Sequence, residues 1–496
     1  MEERQTGGHE SVATRGVNRR TVLKAGGTLG AAAATFNMLD ALAWKPMRAE
    51  AQTASLPDIQ FDIGRFIAPA QTINGVQVQF GPVYTLFLTA RLTRTPTRAD
   101  QQSLAAGLNT IEANYPFASN GIFAFVSYGL PYFRRLPSTL VSSRIPRLAS
   151  NTSRSVLEEA VPAPTDVGQP GITKRRFNVP LRIESNDVLF TLRSDNTSFL
   201  TDVANWLQGS NQLRGQAVTS PVRGLLSFTS SRVMFQQMGL PRLVAANNRL
   251  SFVDRVNSQS PMWMGFADQQ TNGSGPPQIC TFQGNASARL TTARAGDYFD
   301  NGSIQHLSHV IQDLEAFYAR AGEADQEEDE TYLERVQYMF RSNPPPSFGF
   351  SGDPFSNGGG PAFLPNEFRG TGDARANASG QGTLEGEHRI GHLSALQRSS
   401  RAADGTPIHI RMDGPGFDNL DVPDGSNQPK LQFTVFVPTA DFFARMRRNQ
   451  ASLDLAQQFQ VDEDENGLER FLTTTRRQNF LVPPRRHRAF PLVELV

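Results

Sequence analysis

Cysteine is almost missing from this chain: Cys280 is the only one among 496 residues. A single thiol excludes an internal disulfide framework and any metal site built from several cysteines. Lysine is also scarce, occurring only at positions 24, 45, 174 and 430, so arginine carries nearly all of the positive charge. The formal net charge at pH 7 is +1. A chain this close to neutrality offers no electrostatic basis for binding nucleic acid or an acidic membrane surface.

Long apolar runs are missing as well. The small apolar stretch Ala25–Ala34 is too short to span a bilayer as a helix of the mature protein. It follows Arg19-Arg20 and Leu23-Lys24, the pattern of a twin-arginine export signal, and it precedes Ala49-Glu50-Ala51, a small-x-small cleavage site. We therefore expect a removable signal over residues 1–51, passage through the twin-arginine translocase, and a periplasmic or extracellular mature protein without a membrane span.

The remaining chain alternates strand-like and helix-like patterns in two successive parts. The first part predicts strands and helices in the order Val83–Leu92, Arg98–Ala113 (helix), Gly121–Tyr128, Asp187–Arg193, Asn196–Leu207 (helix) and Gly224–Thr229. The second part predicts a strand-to-helix passage over Gly302–Arg320, a strand over Leu431–Val437 and a helix over Ala440–Gln450. Two such parts indicate a duplicated α+β architecture, antiparallel sheets covered by helices.

The expected domains follow from these two parts. We place an N-terminal half at residues 52–245 and a C-terminal half at residues 246–496. The C-terminal half contains a flexible insertion at about residues 321–387, which begins with an acidic run and continues rich in Gly, Pro, Asn and Ser. The chain has neither a Gly-rich dinucleotide loop after a strand nor a P-loop.

Four of the seven histidines need separate interpretations. His306 and His309 are three residues apart on an expected helix, a spacing that suits a metal ion, but no third ligand is evident and a structural role is favoured. His409 lies in an alternating stretch, so its side chain should face away from that of Ile410. His487 stands between two arginines near the end of the chain, where we expect it at the surface.

His392 differs from the other histidines in its surroundings. It is followed by a polar turn through Asp404-Gly405 and then by an alternating stretch that contains Arg411 and Asp413. Upstream lies the segment Gly265-Phe266-Ala267-Asp268. A neutral imidazole can be the fifth ligand of a haem iron, and a carboxylate and an arginine on the open side can assist the cleavage of a peroxide.

At these residues the chain resembles the dye-decolorising (DyP-type) peroxidases, haem enzymes built from two ferredoxin-like halves of the dimeric α/β-barrel superfamily. Gly265 and Asp268 match the Gly-x-x-Asp-Gly motif of that family, and His392 and Arg411 match its proximal histidine and distal arginine. The resemblance implies haem b as cofactor, His392 as the ligand of its iron, and Asp268 and Arg411 as catalytic residues. One position departs from the family, because Gln269 stands where its motif has Gly.

The implied function is that of a peroxidase using hydrogen peroxide to oxidise bulky aromatic, dye-like compounds by one-electron steps. Asp413 should share the face of Arg411, where it either orients the arginine or pairs with it at the surface; with Gly265 and His392 it forms the expected cofactor-binding set. Glu469 is the nearest candidate for a carboxylate behind His392. The alternative is a non-catalytic haem- or ligand-binding protein on the same fold, and the sequence leaves open whether the chain forms a homo-oligomer.

Overall fold

A computed structural model describes most of the chain: residues 19–43, 55–73, 76–163, 165–166, 174, 176–264, 267–270, 277–284, 290–319, 350–353, 363–364, 367–368, 409–451, 453–460 and 468–496. The helices are α1 (Arg19–Leu42), α2 (Arg98–Asn114), α3 (Leu130–Phe133), α4 (Ser138–Arg144), α5 (Thr197–Leu207), α6 (Leu240–Asn247), α7 (Leu314–Phe317), α8 (Ala440–Ala451) and α9 (Leu453–Phe459). The strands are β1 (Gln71–Ile73), β2 (Val76–Val78), β3 (Tyr84–Leu92), β4 (Phe123–Gly129), β5 (Arg182–Ile183), β6 (Val188–Ser194), β7 (Gln212–Leu213), β8 (Gln216–Ala217), β9 (Leu226–Phe235), β10 (Ala267–Gln270), β11 (Ser303–Gln312), β12 (Phe350–Asp353), β13 (Phe363–Leu364), β14 (Glu367–Phe368), β15 (Ile410–Arg411), β16 (Gly414–Asp418), β17 (Gln428–Val437) and β18 (Leu472–Val482).

The first half folds as a β-α-β-β-α-β unit made of β3, α2, β4, β6, α5 and β9. These strands lie side by side in the order β4-β6-β3-β9, and every neighbouring pair is antiparallel. Numbered along the unit this is the order 2-3-1-4, which is the ferredoxin-like arrangement. Both crossover helices begin with side-chain caps, a capping box between Thr97 and Asp100 in α2 and Asn196 in α5.

The second half repeats this topology. Its strands are β11, the broken strand β15–β16, β17 and β18, and they lie in the order β15-β17-β11-β18, again 2-3-1-4. All three neighbouring pairs are antiparallel, and α8 and α9 lie between β17 and β18 in sequence. The predicted fold class is therefore confirmed: the chain is an α+β protein of duplicated ferredoxin-like halves.

The two halves share one ten-stranded sheet. Strand β18 pairs with β4 through Phe480↔Gly129 and Leu481↔Tyr128. Gly129 is required there because a Cβ atom would lie 2.3 Å from the carbonyl oxygen of Asn186. The pairing places strands of the second half directly beside strands of the first.

The sheet curls until its outer strands β9 and β16 lie against each other, and we call this line of contact the seam. At Gly416 an added Cβ would lie 3.0 Å from the carbonyl oxygen of Val233, so glycine favours so close an approach. The indole Nε1 of Trp263 donates a hydrogen bond of 3.0 Å to the carbonyl of Gly416. The sheet is therefore a barrel whose seam is closed by packing and side-chain contacts.

An apolar core fills part of the barrel interior. Strands from both halves contribute to it, and its strand residues are Phe87, Phe123, Phe125, Leu189, Met234, Leu307, Phe436, Phe480 and Val482. Beside this core Gln305 bridges the barrel, since its amide contacts Ser127, Thr191 and Thr434 on three other strands at 3.0–3.3 Å. Because its hydrogen bonds are satisfied, this buried polar layer fixes the relative register of the two halves.

A chain of buried charges continues inward from this layer, and we call it the interior ion chain. Glu184 accepts hydrogen bonds from Arg232 and Arg476, and Arg476 also forms a double hydrogen bond with Asp421 at 2.5 and 2.7 Å. Lys430 lies 3.7 Å from Asp418, which in turn lies 3.3 Å from Nε2 of His309. The charges of these three cations and three carboxylates cancel, and His309 is neutral. Arg232 belongs to the first half and the other two cations to the second, so the chain ties the halves together.

Helix α1 packs on the outside of the barrel. Ala32, Phe36 and Leu39 on its inner side are at most 4% exposed. Among the described helices, none is both long and apolar enough to cross a membrane.

The expected helix at His306 and His309 is wrong, because both residues lie on strand β11 with their side chains completely buried. The sequence pattern misleads here for a physical reason. Both faces of β11 are covered, so apolar residues occur on both, and a bulge between His309 and Val310 breaks the alternation. The resulting spacing of Leu307, Val310, Ile311 and Leu314 imitates one face of a helix.

We predict that Glu184→Gln destabilises the protein by about 3–5 kcal/mol, because it leaves the fully buried Arg232 without its carboxylate. Nε and Nη1 of Arg232 already have no partner among the described residues. Urea unfolding measures the change. The control is Glu159→Gln, whose ion pair with Arg134 is exposed and whose loss should stay within about 0.5 kcal/mol. Equal effects of the two substitutions would contradict a structural role for the interior ion chain.

Candidate functional site

The helix-covered outer faces of the two half-sheets differ in chemistry. In the first half this face is apolar, and its residues include Leu86, Leu88, Ala124, Val126, Phe190, Leu192, Val233 and Phe235. In the second half the equivalent strands carry His306, Ser308, Arg477 and Asn479 among the apolar side chains, and all four are buried. Because burying polar groups is costly unless they are paired, such a face is kept for a reason other than stability alone. We call it the polar face.

The strand register aligns the polar face into two rows. In the first row Arg411 lies opposite Val435, Val435 opposite His306, and His306 opposite Asn479. Side chains of directly paired residues point to the same face of a sheet. Arg411 therefore stands on the same face as His306, two strands away, which is about 10 Å.

The second row runs parallel to the first. Phe433 pairs with Ser308, and Ser308 with Arg477. Asp413 follows Arg411 by two residues on the same extended segment and reaches this second row. The residue pairs on either side of it are Arg411↔Val435 and Gly414↔Gln432. Met412 between the two points into the barrel core, so Arg411 and Asp413 share the outer face, as expected, and both are half-buried.

His306 lies in the middle of the polar face. Its Nδ1 is 2.6 Å from Oδ1 of Asn479, its Nε2 is 2.6 Å from the hydroxyl of Ser308, and its ring stacks on Phe443 of α8. Burial holds the pKa of His306 well below its usual range, so the ring is neutral. A neutral imidazole has one N–H and one lone pair, and both are used here, which leaves His306 no free lone pair for a metal.

Two bidentate ion pairs lie over the polar face. Arg447 of α8 donates to both oxygens of Glu469 at 2.9 and 3.0 Å, and Arg477 of β18 donates to both oxygens of Asp166 at 2.6 and 3.0 Å. Lys174 donates to the backbone carbonyl of Glu469. We call these five residues the outer ion cluster.

The groups of the outer ion cluster are held in their charged forms. Burial alone would raise the pKa of Glu469, but Arg447 outweighs it and holds that pKa well below its usual range. Burial lowers the pKa of Arg477 to about 10, so the guanidinium stays charged at neutral pH. The Nε atoms of Arg447 and Arg477 have no hydrogen-bond partner among the described residues.

The sequence-predicted site residues are only partly brought together. Arg411 and Asp413 lie at the edge of the polar face, and Glu469 lies over it, with its carboxylate taken up by Arg447 and by Thr165 at 2.5 Å. Asp268 lies on β10, whose partner β12 runs parallel to it with Ser351 opposite Asp268. His392 and Gly265 lie outside the described residues.

Sequence reasoning missed most residues of the polar face. His306 was expected in a structural role, which its two hydrogen bonds agree with, but Arg447, Arg477, Asp166 and Lys174 were not singled out. A usable signal was the pair Arg476-Arg477 a few residues before the apolar run Phe480-Leu481-Val482, since arginine is rarely buried without a partner. In the part of the chain that the structure describes, no three His, Cys, Asp or Glu side chains are grouped to hold a metal ion. His487 is half-buried and stacks on Tyr298.

The chain belongs to a family of unknown function, DUF7405, whose model matches residues 82–484. No curated protein matches it. Similar known structures include the encapsulated DyP-type peroxidase of Mycobacterium smegmatis, with 13% identity, a TM-score of 0.44, and coverage of 84% of this chain and 96% of that one. A DyP-type peroxidase from Cellulomonas bogoriensis has 13% identity and a TM-score of 0.47, covering 85% and 95%. A Rhodococcus jostii DypB variant in complex with heme has 12% identity and a TM-score of 0.45, covering 82% and 95%.

We predict that the free energy of unfolding falls as the pH drops below about 6.5, because unfolding releases His306 and His309 to be protonated. Burial lowers the pKa of both in the folded state, so below the unfolded value of about 6.5 the unfolded chain binds more protons. Each contributes up to about 1.4 kcal/mol per pH unit. Urea unfolding between pH 7 and 5.5 measures the slope.

The matched variant is His306→Gln, which keeps a polar side chain and removes one titrating group. Its stability should depend less steeply on pH than that of the wild type. Other groups titrate in this range, Asp195 among them with a pKa raised by burial to about 6, but they are common to both proteins and cancel in the difference. Identical slopes would mean that His306 is not held neutral.

Proposed function

We propose that the protein is a haem-dependent peroxidase that uses hydrogen peroxide to oxidise bulky aromatic compounds by one-electron steps. The observation that carries the proposal is the polar face of the C-terminal half with Arg411 at its edge, where the duplicated first half has an apolar face. The motif residues Asp268, His392 and Arg411 occur in this same half.

The residues of the polar face fit a group with anionic substituents. The outer ion cluster contains two guanidinium Nε donors without partners among the described residues, and such donors suit carboxylates such as haem propionates. His306 has no free lone pair, which leaves the role of iron ligand to another histidine. We assign it to His392, because this histidine matches the proximal histidine of the family motif.

Bound haem would supply the iron that accepts an oxygen of peroxide and the electrons for its cleavage. The protein must then move one proton from the inner to the outer peroxide oxygen. Asp268, when ionised, accepts that proton as a base and returns it as an acid. Arg411 remains charged, so it favours the ionised form of Asp268 and stabilises negative charge on the departing oxygen. Asp413 shares the face of Arg411 and is suited to orient the guanidinium.

We also propose export through the twin-arginine translocase, with the mature protein in the periplasm or outside the cell. Arg19-Arg20, the apolar stretch behind them and the small residues near position 50 support this location. The expected partners are the translocase, hydrogen peroxide and an aromatic reductant.

We predict that His392→Ala abolishes or greatly weakens haem binding, because it removes the proposed iron ligand. The Soret band of protein purified from haem-fed cells measures binding. His306→Gln is the control, since His306 lies on the polar face but uses both ring nitrogens within the protein. A normal Soret band with histidine ligation in the His392 variant would show that the ligand is wrong. Haem binding without any peroxide-dependent dye bleaching in the wild type would favour the alternative, a non-catalytic haem- or ligand-binding protein.

We predict that Asp268→Asn and Arg411→Leu keep haem but slow the first spectral change after mixing with peroxide. Loss of a proton shuttle costs about 10²–10⁴-fold in rate. Loss of one charge-stabilising contact costs about 10²–10³-fold. Stopped-flow absorbance measures both.

The internal control for this pair is Gln269→Gly, which restores the residue of the family motif next to Asp268. It should leave the rate unchanged or raise it. Wild-type rates in both the Asp268 and the Arg411 variants would mean that peroxide is cleaved elsewhere.

A further inference from the structure

Helix α1 lies over the seam, although its residues belong to the segment that the sequence marks as a removable signal. Its neighbours are β9, α5 and α6 of the first half and β16 of the second. Ala32, Phe36 and Leu39 form its buried stripe, spaced four and three residues apart as one face of a helix requires. The surface that receives α1 is therefore assembled from both halves.

The contacts that hold α1 are few and mainly apolar. Phe36 packs edge-to-face on Tyr84 with ring centroids 6.1 Å apart. The hydroxyl of Tyr84 donates a long hydrogen bond of 3.4 Å to the carbonyl of Leu39, and Nδ2 of Asn248 lies 3.3 Å from the sulfur of Met38. The side chains of residues 30–42, which are the described ones of α1, form no salt bridge, and the helix adds no strand to the sheet. The helix can therefore leave its site without breaking a β-ladder or an ion pair.

The receiving surface lies mostly on β9 and is completed across the closed seam by β16. Strands β9 and β16 share no ladder in the described sheet, and their approach relies on the missing Cβ of Gly416 and on the hydrogen bond from Trp263 to its carbonyl. When the two halves are apart, β16 is absent from the site of α1. A covalently tethered helix needs only weak contacts to dock, because the tether keeps its local concentration high.

We propose that the seam is a docking site for residues 30–43 as a detachable helix, and that the helix docks only after the two halves have joined. The docking itself does not depend on the proposed peroxidase function. A consequence for transport rests on the proposed export. In a chain exported in the folded state, docking of the signal segment would depend on whether the fold is complete.

Hydrogen exchange of the full-length chain, followed by mass spectrometry of a peptide covering residues 30–43, tests the docking. Phe36→Asp places a charge in the buried stripe and should speed exchange of this peptide by about tenfold or more. Asn37→Asp is the matched control, since Asn37 is the exposed neighbour on the same helix and receives the same charge. Residues 84–92 should stay protected in both variants, which shows that the barrel remains folded. Equal exchange of residues 30–43 in the wild type and in Phe36→Asp would overturn the proposal.

A second experiment tests whether docking of the helix depends on the joined halves, with substitutions that weaken the seam. Trp263→Phe removes the indole donor together with part of the buried ring, and Gly416→Ala adds a Cβ 3.0 Å from the carbonyl oxygen of Val233, so both should loosen β16 from β9. Exchange of residues 30–43 should rise several-fold in each, with residues 84–92 still protected. Faster exchange of β9 and β16 together with an unchanged helix would overturn the dependence. The readout requires neither haem nor export, so its failure is distinct from failure of the proposed function.

Discussion

Little backbone pairing joins the two halves, so the structure depends on side-chain contacts between them. Strand β18 meets β4 through two residue pairs and the short strand β5 through two more. Gln60 reinforces the junction with β4, because its amide bonds both backbone groups of Val126 and also the carbonyl of Pro483 at 2.7–3.0 Å. Most of the union must therefore come from side chains inside the barrel, namely the apolar core, the Gln305 layer and the interior ion chain. The apolar part supplies most of the favourable energy, and the polar parts fix one register of the halves.

Duplication explains the uneven chemistry of the molecule. Both halves have the same strand order, so both present a helix-covered face of the same shape. The first half covers its face with aliphatic and aromatic side chains and contributes a conventional core. The second half replaces this packing with His306, Asn479 and two bidentate arginine pairs, which stabilise the fold less than apolar packing of the same volume. The apolar packing of the helix-covered faces is thus concentrated in the first half, and their buried polar groups in the second half.

Most of the fold could be predicted from the sequence, because long, strongly patterned segments form its elements. The expected strand at Val83–Leu92 is Tyr84–Leu92, and the expected helix at Ala440–Gln450 is Ala440–Ala451. The prediction failed at β11, where burial on both faces and a bulge removed the alternation. It also ended the last strand of the first half at Thr229, although β9 continues to Phe235, because polar Ser230 and Arg232 face the barrel interior and resemble the end of a strand.

The candidate site was harder to predict, because its ion pairs join residues far apart in sequence. Asp166 and Arg477 belong to different halves, and Thr165 reaches Glu469 in the same way. No local sequence pattern predicts a contact between residues so far apart in the chain. Arg411 and Asp413 could be placed on one face, since that inference needs only the alternation of a strand. Asp268 and His392 stay predictions that rest on their motifs.

The two histidines of β11 limit which groups can carry protons in the proposed reaction. His306 faces the outer side and His309 the interior, and burial lowers the pKa of both. His306 is closed in by Asn479 and Ser308, and protonating it would place a charge beside Arg447 and Arg477. His309 faces the barrel interior and is shared between Thr475 and Asp418, away from the polar face. Neither histidine of β11 is therefore suited to relay a proton at the polar face, and the proposal that Asp268 does so, with Arg411 keeping it ionised, rests on the family motif.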